Sequence, residues 1–276
     1  MTTLKEKYLL KQITETAKIG DFEQLSMLIT QSKNNIDCSE ALNMASEKGH
    51  TECVKLLIPA SDPKSNDSRA LFLASENGHA ECVKLLIPVS DPKTNDSQAL
   101  RRASENGHVE CVKLLIPLSD TKARNNQALI LASVRGHYDC VKLLIPVLDT
   151  KTSESYALRL APTYGSVECV KLLIPVSDPK ANNSEALRLA SEGGHVECVK
   201  ILIPVSDPKD INSLALLCTA IKNYKDCVEL LLPHSDILKW SEENWININY
   251  DIQNTTRSYY SKTSLTQNVL LDNNQI

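Results

Sequence analysis

Four short strings in this chain place an imidazole, a carboxylate and a thiol within four residues: HTEC at 50–53, HAEC at 79–82, HVEC at 108–111 and HVEC at 195–198. On a helix His79 and Cys82 share a face, a geometry open to two ligands of one zinc ion. The His-x-Glu order is also part of the zinc deaminase signature, but that signature needs Pro-Cys-x-x-Cys, which the chain lacks. A nucleophilic Cys-His pair needs one activated thiol in an electropositive pocket, whereas these thiols recur with equivalent neighbours. A phosphate-cradling loop has little glycine to draw on, since the chain holds eight, most of them at one repeated turn position. The residues therefore predict no metal, no cofactor, no small-molecule substrate and no enzyme. His sits in a turn, and Cys faces the core as a small hydrophobe.

The spacing carries more than the chemistry. Cys53, Cys82, Cys111, Cys140, Cys169, Cys198 and Cys227 stand 29 residues apart, and so do Pro59, Pro88, Pro117, Pro146, Pro175, Pro204 and Pro233. Self-similarity at such a period marks a stacked solenoid, in which each unit touches only its neighbours. Eight units follow, at 3–31, 32–60, 61–89, 90–118, 119–147, 148–176, 177–205 and 206–234, with a tail at 235–276.

Residues 61–89 set out one unit. Asp67 or Ser68 is placed to cap a first helix that carries Ala70, Leu71 and Ala74 on one face. Gly78 ends it where a positive φ is needed. A second helix starts near His79 and carries Cys82, Val83, Leu85, Leu86 and Ile87, too apolar to be exposed on most of its surface. Pro88 stops it. The predicted fold class is an all-α solenoid of stacked helix-turn-helix repeats with short loops. In the sixth unit Pro162 stands where other units have Ser, which predicts a kink or an early stop. The first unit, with Lys5, Glu6, Lys7 and Lys11, reads as a cap with a polar outer face.

The string ALFLASENGHAECVKLLI resembles the ankyrin repeat, matching it at Leu71, Ala74, Gly78, His79, Val83, Leu85 and Leu86. The resemblance extends from residue 3 to about 233. The opening Thr-Pro-Leu-His of the family is replaced here by Arg69-Ala70-Leu71-Phe72, and each unit is about four residues shorter than the family's roughly 33. The shortfall lies in the loop, so full-length β-hairpin fingers are not expected.

The net charge of -4 lacks the basic balance of a nucleic-acid binder, and no apolar run is long enough to span a bilayer. Neither nucleic acid nor membrane is expected as a partner. A column of equivalent cysteines on neighbouring helices is too widely spaced to bridge itself, which predicts reduced, buried thiols in a reducing, intracellular, cytoplasmic setting.

Differences among the units fall on the first helix, at Arg69, Phe72, Asn77, Gln98, Arg101, Arg102, Ile130, Val134, Arg135, Tyr156, Arg159, Tyr164 and Arg188. The resemblance implies that first helices and loops form a protein-binding groove, and exposed apolar and aromatic groups there favour that role. Arg101 with Glu105 and Arg188 with Glu192 have the spacing of neutralising i, i+4 pairs. In the last unit Leu214, Leu217 and Ile221 make an apolar stripe, which the tail is expected to cap with Trp240 or Trp245. The function predicted is binding of a protein partner. The alternatives are an adaptor whose tail recruits other machinery, and a structural array without a tight partner.

Overall fold

The computed structural model describes residues 4–32, 36–147, 156–236, 248 and 250–262. Contacts divide the chain into two units, Met1–Ala132 with Asp139–Leu148, and Ser133–Tyr138 with Asp149–Ile276. Among the described residues all regular structure is helical, and no strand is present.

The first unit contains α1 (Leu4–Ile19), α2 (Phe22–Gln31), α3 (Ser39–Lys48), α4 (Thr51–Leu57), α5 (Ser65–Glu76), α6 (Ala80–Leu86), α7 (Thr94–Glu105) and α8 (Val109–Leu115), then most of α9 (Ala123–Val134) and α10 (Tyr138–Leu144). First helices pack on first helices, α1 on α3, α3 on α5 and α5 on α7, while α2, α4, α6 and α8 form the second row. The second unit holds α11 (Tyr156–Leu160), α12 (Val167–Leu173), α13 (Ala181–Gly193), α14 (Val196–Leu202), α15 (Asp210–Ile221), α16 (Lys225–Leu231) and α17 (Tyr250–Lys262), in the same two rows up to α16.

From α4 onward the second helices are only seven residues long, too short to be stable alone in water, so packing must hold them. Cys82, Val83 and Leu86 of α6 are fully buried, as are Cys198, Val199 and Leu202 of α14. Most of these helices end in a single 3₁₀ turn over Ile-Pro, as at Ile87–Val89, where proline needs no donor. Pro162 acts earlier, stopping α11 at Leu160 and turning Ala161–Tyr164 into 3₁₀ helix.

Within each unit two ladders tie successive repeats together. At the C-terminal end of the first helix the glycine is left-handed, and the histidine that follows reaches back to a carbonyl of the preceding repeat. His50 Nε2 meets Lys18 O at 3.1 Å, His79 meets Glu47 O at 2.9 Å and His108 meets Glu76 O at 2.9 Å. In the second unit His195 meets Thr163 O at 2.9 Å. The histidine is thus a joint between repeats, not only a turn residue.

At the other end of the first helix a buried serine hydroxyl accepts the next repeat's Asp N–H. These bonds are Asp62 to Ser39 at 2.9 Å, Asp91 to Ser68 at 2.9 Å and Asp120 to Ser97 at 2.7 Å, with Asp207 to Ser184 at 2.8 Å in the second unit. The expected cap at Asp67 or Ser68 is therefore not formed, because the Ser68 hydroxyl is committed to the neighbouring repeat. Asn66, Asp67 and Ser68 instead make a left-handed turn with φ of 48°, 59° and 57°, closed by Ser68 N donating to Lys64 O at 3.2 Å. Asn95–Ser97, Arg124–Asn126, Asn182–Ser184 and Ile211–Ser213 repeat it. Asn and Asp tolerate this region better than other side-chain-bearing residues, which accounts for their frequency there.

The first repeat differs from its sequence reading. α1 buries Ile13, Thr16 and Ala17, but Leu4, Tyr8 and Ile19 are exposed, so its outer face is only partly polar. At the other end α17 packs on α16, burying Ile252 and Thr256. In the stripe expected to receive the tail Ile221 is 46% exposed, while Leu214 and Leu217 are half-buried. Trp240 and Trp245 lie outside the described residues.

Candidate partner-binding face

In the first unit Arg69, Phe72 and Gln98 come together. With Glu40, Asn66, Asp67 and Asn95 they line an open groove of about 450 Å³ across α3, α5 and α7. Phe72 is half-buried and supplies its apolar surface, while Arg69 stands exposed beside it. The left-handed turns position the polar part, since Asn95 Nδ2 donates to Asp67 Oδ2 at 3.0 Å and links the turns of successive repeats. Sequence reading missed Glu40 and the Asn-Asp turns as lining groups, because their place depends on a backbone conformation that composition alone does not announce.

The other arginines of this unit are committed within the fold. Arg101 donates to Asp96 O at 3.1 Å, to Asn95 O at 2.9 Å and to Gln127 Oε1 at 2.7 Å. Burial and then the nearby Arg124 guanidinium lower its pKa. It clamps a left-handed turn instead of bonding Glu105 as its i, i+4 spacing suggests. The Glu105 carboxylate meets Arg102 at 2.7 Å, and Arg102 also approaches Glu76 at 3.9 Å. Asn77 is exposed and returns its amide to Leu73 O at 2.9 Å, and Ile130 is half-buried.

In the second unit the candidates form a charge network. Arg159 lies over the Tyr156 ring at 4.5 Å and meets Glu185, and the Asn182 amide oxygen, assigned from the hydrogen-bond pattern, accepts from both its terminal nitrogens at 2.9 and 3.0 Å. Arg188 spans Glu185 at 2.9 Å and Glu192 at 3.3 Å, the latter being the expected i, i+4 pair. Lys222 of the next repeat adds a contact to Glu192 at 3.5 Å. Burial opposes ionisation of Glu185, yet the hydrogen bond from Arg159 and the charges of Arg159 and Arg188 hold its carboxyl below the usual value. Tyr156 is 44% exposed at the rim of this network and Tyr164 beyond it is 69% exposed, whereas Val134 is half-buried and Arg135 exposed. Leu214 lines a narrow crevice with Leu187, Arg188 and Ile211, and Leu217 is half-buried.

The recurrent thiols offer little nucleophilicity. Burial pushes Cys111, Cys169, Cys198 and Cys227 up to about 11, with neighbouring acidic groups adding to the shift. Among the described residues no group of three His, Cys, Asp or Glu side chains is arranged to hold a metal ion. No helix among them is long and apolar enough to cross a membrane.

The helix pairs, the Gly-His turn and the two-row packing agree with the family comparison. Residues 13–98, 89–155 and 157–243 each match the family model described as ankyrin repeats in three copies. The chain belongs to the ankyrin-repeat family. A comparison with curated proteins finds no match. Ankyrin repeats are in general protein-protein interaction modules and are typically non-enzymatic. In this ankyrin-repeat protein the first helices carry the residues that vary between repeats, while the histidine and serine ladders hold those helices in register.

Proposed function

We propose that this ankyrin-repeat protein binds a protein partner through the first-helix face, without catalysing a reaction. The observation that carries the reading is the groove at Phe72, where an apolar ring, the Arg69 guanidinium and the Gln98 amide converge. Arg69 has no hydrogen bond or ion pair among the described residues, in contrast to Arg101, Arg102, Arg159 and Arg188. Arg and aromatic side chains are the residue types that most often anchor interfaces, and a partner gains most from groups not already satisfied within the fold. The anchors we assign are Arg69, Phe72 and Gln98 in the first unit and the exposed rings of Tyr156 and Tyr164 in the second. The buried thiol column supports an intracellular, reducing setting.

The test is affinity capture from the native cell with the full chain, comparing wild type with Arg69→Glu, Phe72→Glu and Tyr164→Glu. A specific partner retained by wild type and lost from Arg69→Glu and Phe72→Glu is the expected result. A partner retained equally by all three variants would move binding off this face.

A further inference from the structure

A second surface lies on α1, on the side that no other described helix covers. At 100° per residue Leu4, Tyr8, Glu15 and Ile19 project within about 60° of one another, and Leu4 and Ile19 are about 22 Å apart along the axis. Leu4 is 90% exposed, Tyr8 66% and Ile19 73%. Along one edge of this strip run Lys7, Lys11 and Lys18, within about 40° of each other and all exposed. No ammonium group of the three meets a carboxylate among the described residues, whereas Lys48, Lys171 and Lys222 each do.

The geometry points to an acidic amphipathic helix of a partner protein as the occupant of this strip. Three features select it. The strip is straight and about four turns long, which suits a helix lying along α1 as α3 lies along its other side. The unpaired lysine row on one flank calls for a row of Asp or Glu on the occupant. Glu15 sits within the apolar line and is exposed, so a lipid surface would have to take a carboxylate into the acyl boundary, while a protein helix can offer it a donor. A second copy of α1 fits poorly, because an antiparallel two-fold brings its lysine row against the first and a parallel one sets it against the flank of Lys5 and Gln12, which offers no carboxylate. The docked helix would extend the row of first helices by one member, and its site is separate from the Phe72 groove.

The experiment selects a displayed library of four-turn helices, with an apolar stripe and randomised flanks, on the full chain. Winners are re-tested on the K7E/K11E/K18E variant and on Leu4→Ser/Tyr8→Ser. All five positions are exposed, and an unchanged urea midpoint confirms that each variant folds. We expect winners rich in Asp and Glu on one flank, weakened at least tenfold by either variant. Winners with basic flanks, winners unaffected by both variants, or no winners would each overturn the inference. So would lysine-dependent sedimentation of the chain with phosphatidylserine vesicles, which would assign the strip to a lipid surface.

Discussion

The imidazole of His79 lies against Gly49 of the preceding repeat so closely that a Cβ on Gly49 would come within 2.4 Å of Nδ1, while Nε2 meets Glu47 O at 2.9 Å. Gly49 also has φ of +75°, so the glycine serves two needs at one position. Strain at positive φ and overpacking each cost on the order of 1–3 kcal/mol, which predicts that Gly49→Ala lowers stability by about 2–4 kcal/mol. His79→Ala loses the hydrogen bond and packing but leaves room for a Cβ. In a double-mutant cycle by urea unfolding, Gly49→Ala should therefore cost less in the His79→Ala background, and strict additivity would refute the contact.

The left-handed turn at the start of α15 carries Ile211 with φ of 48°, where equivalent turns have Asn66, Asn95 and Asn182. A β-branched residue is a poor occupant of this region, and Ile211 gains little from burial at 53% exposure. Ile211→Asn should stabilise the second unit by about 1 kcal/mol, read as a higher urea midpoint with an unchanged slope.

Arg101 holds the matching turn in the first unit through three donors aimed at two carbonyls and the Gln127 amide. Lysine cannot reproduce that planar fork. Arg101→Lys should cost about 1–2 kcal/mol even though the charge is kept, and a loss that vanished in high salt would point to an ion pair instead.

These cases show what the sequence could and could not convey. The period, the glycine turns, the buried Cys-Val-Leu face and the break at Pro162 follow from local rules, because each depends on one residue and its near neighbours. The Ser68 and Arg101 assignments failed because Ser68 sits in a left-handed turn with its hydroxyl held by the next repeat, and Arg101 serves the backbone of such a turn, a conformation that helix-capping and i, i+4 rules do not contemplate. The histidine ladder was half legible. His79 marks the turn, but its bond to Glu47, 32 residues away, exists only once the repeats are stacked. At the candidate face, variation among repeats pointed to the first helices, and only pairing in three dimensions separates Arg69 from Arg101, Arg159 and Arg188.

Among the internal repeats one lacks the histidine. Ser166 occupies its place, bonds Val134 O at 3.4 Å and packs more loosely on Gly136, where an added Cβ would lie 3.3 Å from the serine hydroxyl. Ser166→His should restore the bond seen between His195 and Thr163 and fill the space beside Gly136, raising stability by about 1 kcal/mol. A lower thermal midpoint would mean that the Pro162 turn displaces the ring from Val134.

Alkaline pH should weaken the array through its buried thiols. Burial lifts Cys38, Cys111, Cys169, Cys198 and Cys227 from the ordinary 9.0 to about 11 in the folded chain. Between those values the unfolded chain has lost these protons while the folded chain retains them, so stability falls as pH rises. The contribution is complete below pH 9 and is lost progressively as pH climbs through 11, at up to about 1.4 kcal/mol per unit for each thiol. Urea midpoints measured from pH 8 to pH 11 should drop more steeply for wild type than for Cys111→Ala or Cys198→Ala, once the cost of each cavity is subtracted at pH 8. Parallel curves would show that the thiols ionise alike in both states.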